Sequence, residues 1–431
     1  MYLLYNILLF MTALIALPYY AIKMMLTGKY RKSMGPKFGI VMPSIFAEMK
    51  GSPRIWIHAV SVGEVTAAEP IVASLRTHFP EACIVLSTST ETGQDMAKRI
   101  VSGATSFIYY PLDIPFVVRK VIAKVRPDIF ILTETELWPN FIRECKEQGA
   151  KVILVNGRIS QHSYQRYALT KFFWKDIVNM IDDMGVISET DAERLKAIGM
   201  APVRVHVMGN AKYDSLAAKA SPAVRQAMER RLNLTKMDRV FVAGSTHDGE
   251  EEIVLYVYGR LLERYPDFKL IIVPRHPERA HAVLSLLKEF GFHDCITMTD
   301  IEEGRHRTSE RIIVIDVIGE LFKVYSLASV VFCGGSLIPK GGQNILEPAA
   351  WGKVIFYGTF MDDFRDEKEL LEKAGAGIMV KSGEELLGGI LKVMSDPDAL
   401  AREGEEGRRI VVSNMGVAEK YVEMVRSHIE R

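Results

Sequence analysis

The sequence predicts an α/β protein of two facing Rossmann-like domains behind an amino-terminal membrane-anchor helix. Apolar runs of strand length alternate with amphipathic segments of helix length along nearly the whole chain, the pattern of parallel sheets with helical crossovers. At 431 residues the chain exceeds one ordinary domain, and the alternation forms two series on either side of an Ala-, Arg- and Lys-rich stretch at 217–232. No charged side chain occurs from Tyr2 to Ala21. The expected divisions are an anchor at 1–28, a first domain at 29–220 and a second at 221–431.

The anchor comes first. About 20 apolar residues at 1.5 Å each just cross a hydrocarbon core of roughly 30 Å, and Pro18, Tyr19 and Tyr20 suit its interfacial end. Lys23, Lys29, Arg31, Lys32 and Lys37 follow, while the first acidic residue is Glu48. The positive-inside tendency then puts the body on the cytoplasmic side of a membrane. No basic residue precedes the apolar run and no small-x-small site follows it, which argues against a cleaved signal peptide.

The first series of strands is expected at Ile55–Ala59, Cys83–Thr88, Ile129–Thr133, Val152–Asn156, Met184–Ile187 and Val203–Met208. The second is expected at Val240–Ala243, Leu270–Val273, Ile312–Ile315, Val330–Cys333, Val354–Tyr357 and Gly377–Val380. Val417–Ile429 has a helical pattern and is free to pack back on the first half. Lys171-Phe172-Phe173-Trp174-Lys175 reads equally as an interfacial helix or a core helix.

Composition narrows the function classes. A net charge of +1 supplies no field for nucleic acid, and 48% hydrophobic with 25% charged residues is an ordinary globular mix. Cys83, Cys145, Cys295 and Cys333 are far apart and lack C-x-x-C spacing, which fits buried thiols in a reducing compartment and not a structural zinc site. G-x-G-x-x-G after a strand and the G-x-x-x-x-G-K-[ST] loop are both missing.

The chemistry gathers at strand ends, where open α/β sheets bind ligands. HAVSVGEV at 58–65 puts Glu64 where the first strand enters a helix, a position for a general base. Glu134-Thr135-Glu136 follows the third predicted strand, and extended alternation would point Glu134 and Glu136 the same way. Two carboxylates so close are costly to bury without cations, and Arg158 and Lys212 also follow strands. In the second half, Arg275 is a natural phosphate clamp, while His276 and His247 serve either to orient a ligand or to cap a loop. Gly334-Gly335-Ser336 and Gly341-Gly342-Gln343-Asn344 suit close backbone approach to a ligand ahead of an expected helix at 345–351, where Glu347 can accept from ribose hydroxyls. Ile318-Gly319-Glu320 is a weaker candidate near a pyrimidine. The one D-x-D triplet, Asp396-Pro397-Asp398, reads as a turn and helix start.

Seven ordered blocks, YRKSMG, HAVSVGE, TETELWPN, GNAKYD, AGSTHDGEE, VPRHPER and GGSLIPKGGQNILEPAAWG, resemble the transferases of 3-deoxy-D-manno-octulosonic acid (Kdo). The resemblance implies an inverting glycosyltransferase of the two-Rossmann GT-B type that moves Kdo from CMP-Kdo to a lipid A precursor, lipid IVA, at the inner membrane. It further implies Glu64 as base, with Glu134, Glu136 and Lys212 supporting the transition state. CMP contacts would come from Arg275, His276, Ile318, Gly319, Glu320, Asn344, Ile345, Leu346 and Glu347. No cofactor and no metal are expected, because a nucleoside monophosphate leaves with little charge to neutralise. The partners are CMP-Kdo, the lipid A precursor and inner-membrane lipids, not nucleic acid. Two rivals share parts of this pattern: a nucleotide-sugar epimerase of the same architecture, and a membrane-associated scaffold without activity.

Overall fold

The computed structural model describes residues 2–27 and 31–430; Lys29 of the basic stretch and Tyr30 of the YRKSMG block lie outside the described residues. Two compact units are present, one running to Ser215 and resumed from Asn414, the other Leu216–Ser413. The division thus falls five residues before the expected one. The carboxy-terminal segment joins the first unit instead of the second.

The first unit holds a parallel sheet of β1 (Arg54–His58), β2 (Cys83–Thr88), β3 (Ser106–Tyr109), β4 (Ile129–Thr133), β5 (Lys151–Gly157), β6 (Asp183–Val186) and β7 (Val205–Val207). Their order is β3-β2-β1-β4-β5-β6-β7. The order reverses between β1 and β4, and the crevice beyond the carboxyl ends at such a reversal is where doubly wound sheets take ligands. The second unit's sheet comprises β8 (Val240–Thr246), β9 (Lys269–Pro274), β10 (Cys295–Thr297), β11 (Ile312–Val314), β12 (Val330–Cys333), β13 (Ile355–Tyr357) and β14 (Gly377–Met379). It runs β10-β11-β9-β8-β12-β13-β14, with its reversal between β8 and β12.

The inner strands are buried along their length and rich in Val and Ile, as strands covered by helices on both faces must be. β3 and β10 were not anticipated. Both are short sheet edges, of four and three residues, so hydrophobic patterning hardly marks them. β8 also runs three residues past its expected end, taking Gly244, Ser245 and Thr246 into the strand across an irregularity in its register with β9.

On one face of the first sheet Trp56, Phe130 and Phe141 form an aromatic core, with ring centroids 4.9 Å apart for Trp56–Phe141 and 4.5 Å for Phe130–Phe141. On the other face Ile55 and Ile57 meet the helix Val62–His78 and the carboxy-terminal helix Val417–Ile429, which buries Tyr421, Val422 and Val425. Each such side chain contributes about 1.5–3 kcal/mol. Gly185 is bare because a Cβ there would stand 2.4 Å from the Tyr421 ring. Polar ties fix the docking: Tyr421 Oη donates to the Gly209 carbonyl at 2.8 Å, and His428 meets Asp183 at 2.6 Å.

The amino-terminal helix, Tyr2–Thr27, exists but is not a free anchor. Among the described residues no helix is long and apolar enough to cross a membrane. Its first turns are bonded to the protein body: Tyr5 Oη donates to Asp113 at 2.8 Å, Asn6 accepts from Asn140 Nδ2 at 2.6 Å, and Tyr2 and Tyr5 pack on Phe173. The remaining surface, Leu3, Leu4, Ile7, Leu8, Phe10, Met11, Leu14 and Ile15, is exposed.

Candidate active site

Glu64 lies in the first turn of the helix that follows β1, and it is buried. Its Oε2 accepts from the Val60 N–H at 2.8 Å, and its Oε1 from the Ser61 hydroxyl at 3.2 Å. Thr133, the last residue of β4, donates its hydroxyl to the His58 carbonyl at 2.7 Å and sits 3.2 Å from Oε2. The Thr133 oxygen can therefore accept from Glu64 when Glu64 holds a proton. Burial first, then the charges of Glu134 and Glu136, push the carboxyl up to about 7, against the pull of the Val60 and Ser61 bonds. A carboxylate poised there both accepts and releases a proton near neutrality. His58, beneath it, is buried against Tyr110 at 3.7 Å, and desolvation pushes it down to about 3, so it is neutral and structural.

The TETELWPN loop supplies the neighbours, but not by strand alternation. Glu134 turns in the left-handed region at φ 55°, so Glu134 and Thr135 form a turn, and the extended geometry expected for 134–136 is not found. Lys212 Nζ nevertheless reaches Glu134 at 3.2 Å, which joins two of the anticipated residues. Thr135 donates to the carbonyl of Arg158. Glu134, Glu136 and Lys212 are partly buried, and burial with the charge of Glu134 raises the Glu136 carboxyl. Glu134 through Pro139 line a cavity of about 380 Å³ together with Tyr5, Ser163, Tyr167 and Trp174.

In the second unit the ends of β8 and β12 are stitched together. Gly334 has no room for a side chain, since a Cβ would lie 2.5 Å from the Ser245 carbonyl. Glu250, fully buried, accepts four backbone N–H bonds: Gly335 at 2.7 Å, Ser336 at 3.1 Å, Leu337 at 3.0 Å and His247 at 3.1 Å. Arg275 and His276 are exposed beyond β9, and the Arg275 N–H donates to the Thr246 carbonyl at 2.9 Å. Asn344 Nδ2 donates to Glu347 at 3.2 Å, and burial lifts the Glu347 carboxyl to about 7 in spite of that bond and of Lys219 and Arg275. The helix there, Leu346–Ala350, is five residues long and shorter than expected. Ile345 and Leu346 are buried, so only their backbone can meet a ligand, and the Leu346 N–H is already given to Asn344 Oδ1. Gly319 turns at φ 93° beside exposed Ile318, while Glu320 is held by Lys323 at 2.9 Å and Arg231 at 3.3 Å. Asp396 accepts from the Ala399 N–H at 3.0 Å at the start of the helix Pro397–Ser413.

Residues 32–215 match the family described as 3-deoxy-D-manno-octulosonic-acid transferase (kdotransferase). The 3-deoxy-D-manno-octulosonic acid transferase of Haemophilus influenzae is 30% identical over 405 residues, covering 94% of this chain and 93% of that one. The chain belongs to the Kdo transferases. It is therefore a glycosyltransferase. A bifunctional glycosyltransferase/methyltransferase of Fusobacterium nucleatum is 34% identical over 357 residues, 82% of this chain, and the chain spans about half of that protein's length, 54%. The fold is shared with a UDP-GlcNAc 2-epimerase from Neisseria meningitidis, TM-score 0.58 at 14% identity, covering 84% of this chain and 99% of that one.

Within a Kdo transferase the first unit brings together Glu64, Glu134, Glu136 and Lys212, and the second unit holds the anticipated donor residues on neighbouring loops. Sequence reasoning missed Asp113, Tyr5 and Glu250. Asp113 is buried and accepts from the N–H groups of Asn140 at 3.0 Å and Phe141 at 2.8 Å, fixing the start of the helix that ends the TETELWPN loop. Desolvation pushes its carboxyl up to about 6 against those bonds. Only tertiary structure pairs Asp113 with residues 27 and 28 positions away.

Proposed function

We propose that the protein transfers Kdo from CMP-Kdo to a hydroxyl of a lipid A precursor, with Glu64 as general base. The observation that carries this reading is the Glu64 carboxyl itself: buried at the reversal of the first sheet, raised to about 7, and beside a cavity bearing Glu134 and Glu136. Glu64 takes the proton of the acceptor hydroxyl as its oxygen attacks the anomeric carbon, and CMP departs from the opposite face. The Lys212–Glu134 pair tunes that base. In the second unit Arg275, His276 and the Asn344–Glu347 segment receive the nucleotide, and Arg275 meets its phosphate. A monophosphate leaves with modest charge, which cationic side chains can stabilise.

The exposed apolar side of the amino-terminal helix supports a place on the inner membrane, with the body on the cytoplasmic side. Phe172, 65% exposed, and Leu169, 82% exposed, add to it, and Arg31 and Lys32 supply attraction to anionic lipid. The helix then lies in the interface instead of crossing it, since its first polar residues are committed to the protein.

The decisive experiment incubates detergent-dispersed protein with CMP-Kdo, with and without a lipid A precursor. Release of CMP that requires the acceptor supports transfer. An epimerase of the same fold would instead turn over nucleotide sugar with no acceptor present. A protein inert under both conditions would be a scaffold.

A further inference from the structure

The cavity beside Glu134 has a composition that charge chemistry alone does not need. Its walls are aromatic: Tyr5 from the amino-terminal helix, Tyr167 and Trp174 from the helices Gln161–Leu169 and Lys171–Val178, and Trp138 from the loop. The rings hold one another, Tyr167 against Trp174 at 4.7 Å, Trp174 against Phe173 at 5.2 Å, and Phe173 stacked on Tyr5 at 5.7 Å. Among them stand the carboxylates of Glu134 and Glu136 and the hydroxyl of Ser163. At about 380 Å³ the space falls within the roughly 300–1,000 Å³ of small-ligand sites. Flat apolar faces beside hydrogen-bond acceptors fit a pyranose, whose C–H face packs on rings while its hydroxyls donate to carboxylates. The same two carboxylates repel phosphate.

Tyr5 is set in this wall by the loop itself. Asp113 accepts from Tyr5 Oη and, at 3.0 and 2.8 Å, from the N–H groups of Asn140 and Phe141, while Asn140 Nδ2 also donates to Asn6. Two adjacent residues of the helix are thus bonded to the two residues that fix the end of the TETELWPN loop. The opposite side of the same turns carries Leu3, Leu4, Ile7 and Leu8, all exposed.

We infer that the amino-terminal helix forms one wall of the acceptor site, and that the pocket it closes is a subsite for an uncharged, hydroxyl-bearing face of the acceptor sugar. This rests on the reading that the first unit takes the acceptor. The helix then has two roles, an outer surface for lipid and an inner one for sugar. Removing it costs recognition even where no membrane is present.

The test uses the full-length chain and a deacylated, soluble lipid A precursor, so that membrane attachment plays no part. Binding is read from tryptophan fluorescence, since Trp138 and Trp174 line the pocket, and needs no turnover. Tyr5→Ala should weaken acceptor binding and raise its KM by at least about tenfold, as truncation of a buried aromatic anchor does. The KM for CMP-Kdo and flotation with anionic liposomes should stay at wild-type values. Tyr5→Phe, which keeps the ring on Phe173 and loses only the Asp113 bond, and Ser163→Trp, which fills the pocket, should each weaken acceptor binding as well. Wild-type acceptor binding in a folded Tyr5→Ala protein overturns the inference. If Tyr5→Ala does not fold, wild-type binding in both other variants overturns it. A wild-type chain that binds the sugar but transfers nothing overturns the proposed reaction and leaves this subsite standing; one that binds no sugar overturns the subsite.

Discussion

With Glu64 as the proposed base, its carboxyl should set the pH dependence of the reaction, and its neighbours allow that dependence to be moved both ways. Its rise from 4.5 to about 7 corresponds to about 3 kcal/mol of preference for the neutral form in the folded protein, at 1.36 kcal/mol per tenfold change in proton affinity. Since the base acts only when ionised, kcat/KM should fall tenfold per pH unit below about 7 and level off above it. Glu134 is the stronger of the two charged causes, and Lys212 lies 3.2 Å from it. Glu134→Gln removes the repelling charge and releases the lysine, so the limb should move to lower pH by several tenths of a unit. Lys212→Met leaves Glu134 uncompensated, so the limb should move up by a similar amount. Glu64→Gln should lose at least about a hundredfold in turnover on the plateau above about pH 7, and its residual activity should lack the acid limb. The sign for stability is opposite: between 4.5 and 7 the folded state binds more protons than the unfolded, so stability falls as pH rises through that window. Glu64→Gln should therefore gain up to about 3 kcal/mol in urea unfolding at pH 8 and nothing at pH 4. Acceptor-dependent CMP release from pH 5 to 9 measures the limb. Glu134→Gln and Lys212→Met profiles that coincide with wild type, or that shift in the same direction, would refute the reasoning.

Three further outcomes are expected. Glu250→Ala strands four backbone N–H groups, two of them buried, so it should destabilise the second unit by about 3–5 kcal/mol, seen as a lower melting temperature, and raise the KM for CMP-Kdo, with Glu250→Gln intermediate. With CMP as the proposed leaving group, a monophosphate, turnover should persist in excess EDTA; loss of activity restored by Mg²⁺ or Mn²⁺ would instead show a metal-assisted step. Replacing Leu3, Leu4, Ile7 and Leu8 together by Ser should abolish flotation with anionic liposomes while leaving transfer to a soluble acceptor within about twofold, since all four side chains face outward.

How much of this the sequence discloses depends on the range of the interaction. Inner strands such as β1, β9 and β12 are legible because burial on both faces writes an apolar run into four to six residues, and the positions of Glu64, Arg275 and Glu347 are legible because each follows such a run. β3 and β10 are not, since strands of four and three residues at a sheet edge are too short to stand out. The 134–136 segment misleads because its backbone is set by a left-handed Glu134, which alternation cannot foresee. Asp113, Tyr5 and Asn6 carry no local signal at all. Their roles come from bonds between residues more than a hundred positions apart in the case of Tyr5 and Asn6. The apolar run at the amino terminus correctly marks a helix, but it says nothing of which face the protein itself will claim.

Glu64 and Glu250 show the limit most sharply. Each follows a glycine, in Val62-Gly63-Glu64 and Asp248-Gly249-Glu250, each opens the helix after the first strand of its sheet, and each is buried at the point where the strand order reverses. By sequence and topology they are the same residue. Their environments separate them. Glu250 receives N–H bonds from four backbone groups on two loops, so its lone pairs are spent holding the ends of β8 and β12 in register, and protonation would leave some of those donors unpaired. Burial raises its carboxyl too, but every bond it makes opposes the rise. Glu64 receives one backbone N–H and the Ser61 hydroxyl, faces two carboxylates, and has in Thr133 an oxygen able to accept its proton. Both of its protonation states are therefore accommodated, which a general base requires and a structural post does not. What separates the two carboxylates comes from distant segments, Thr133 beside Glu64 and the Gly335–Leu337 N–H groups around Glu250, which only the fold brings to them.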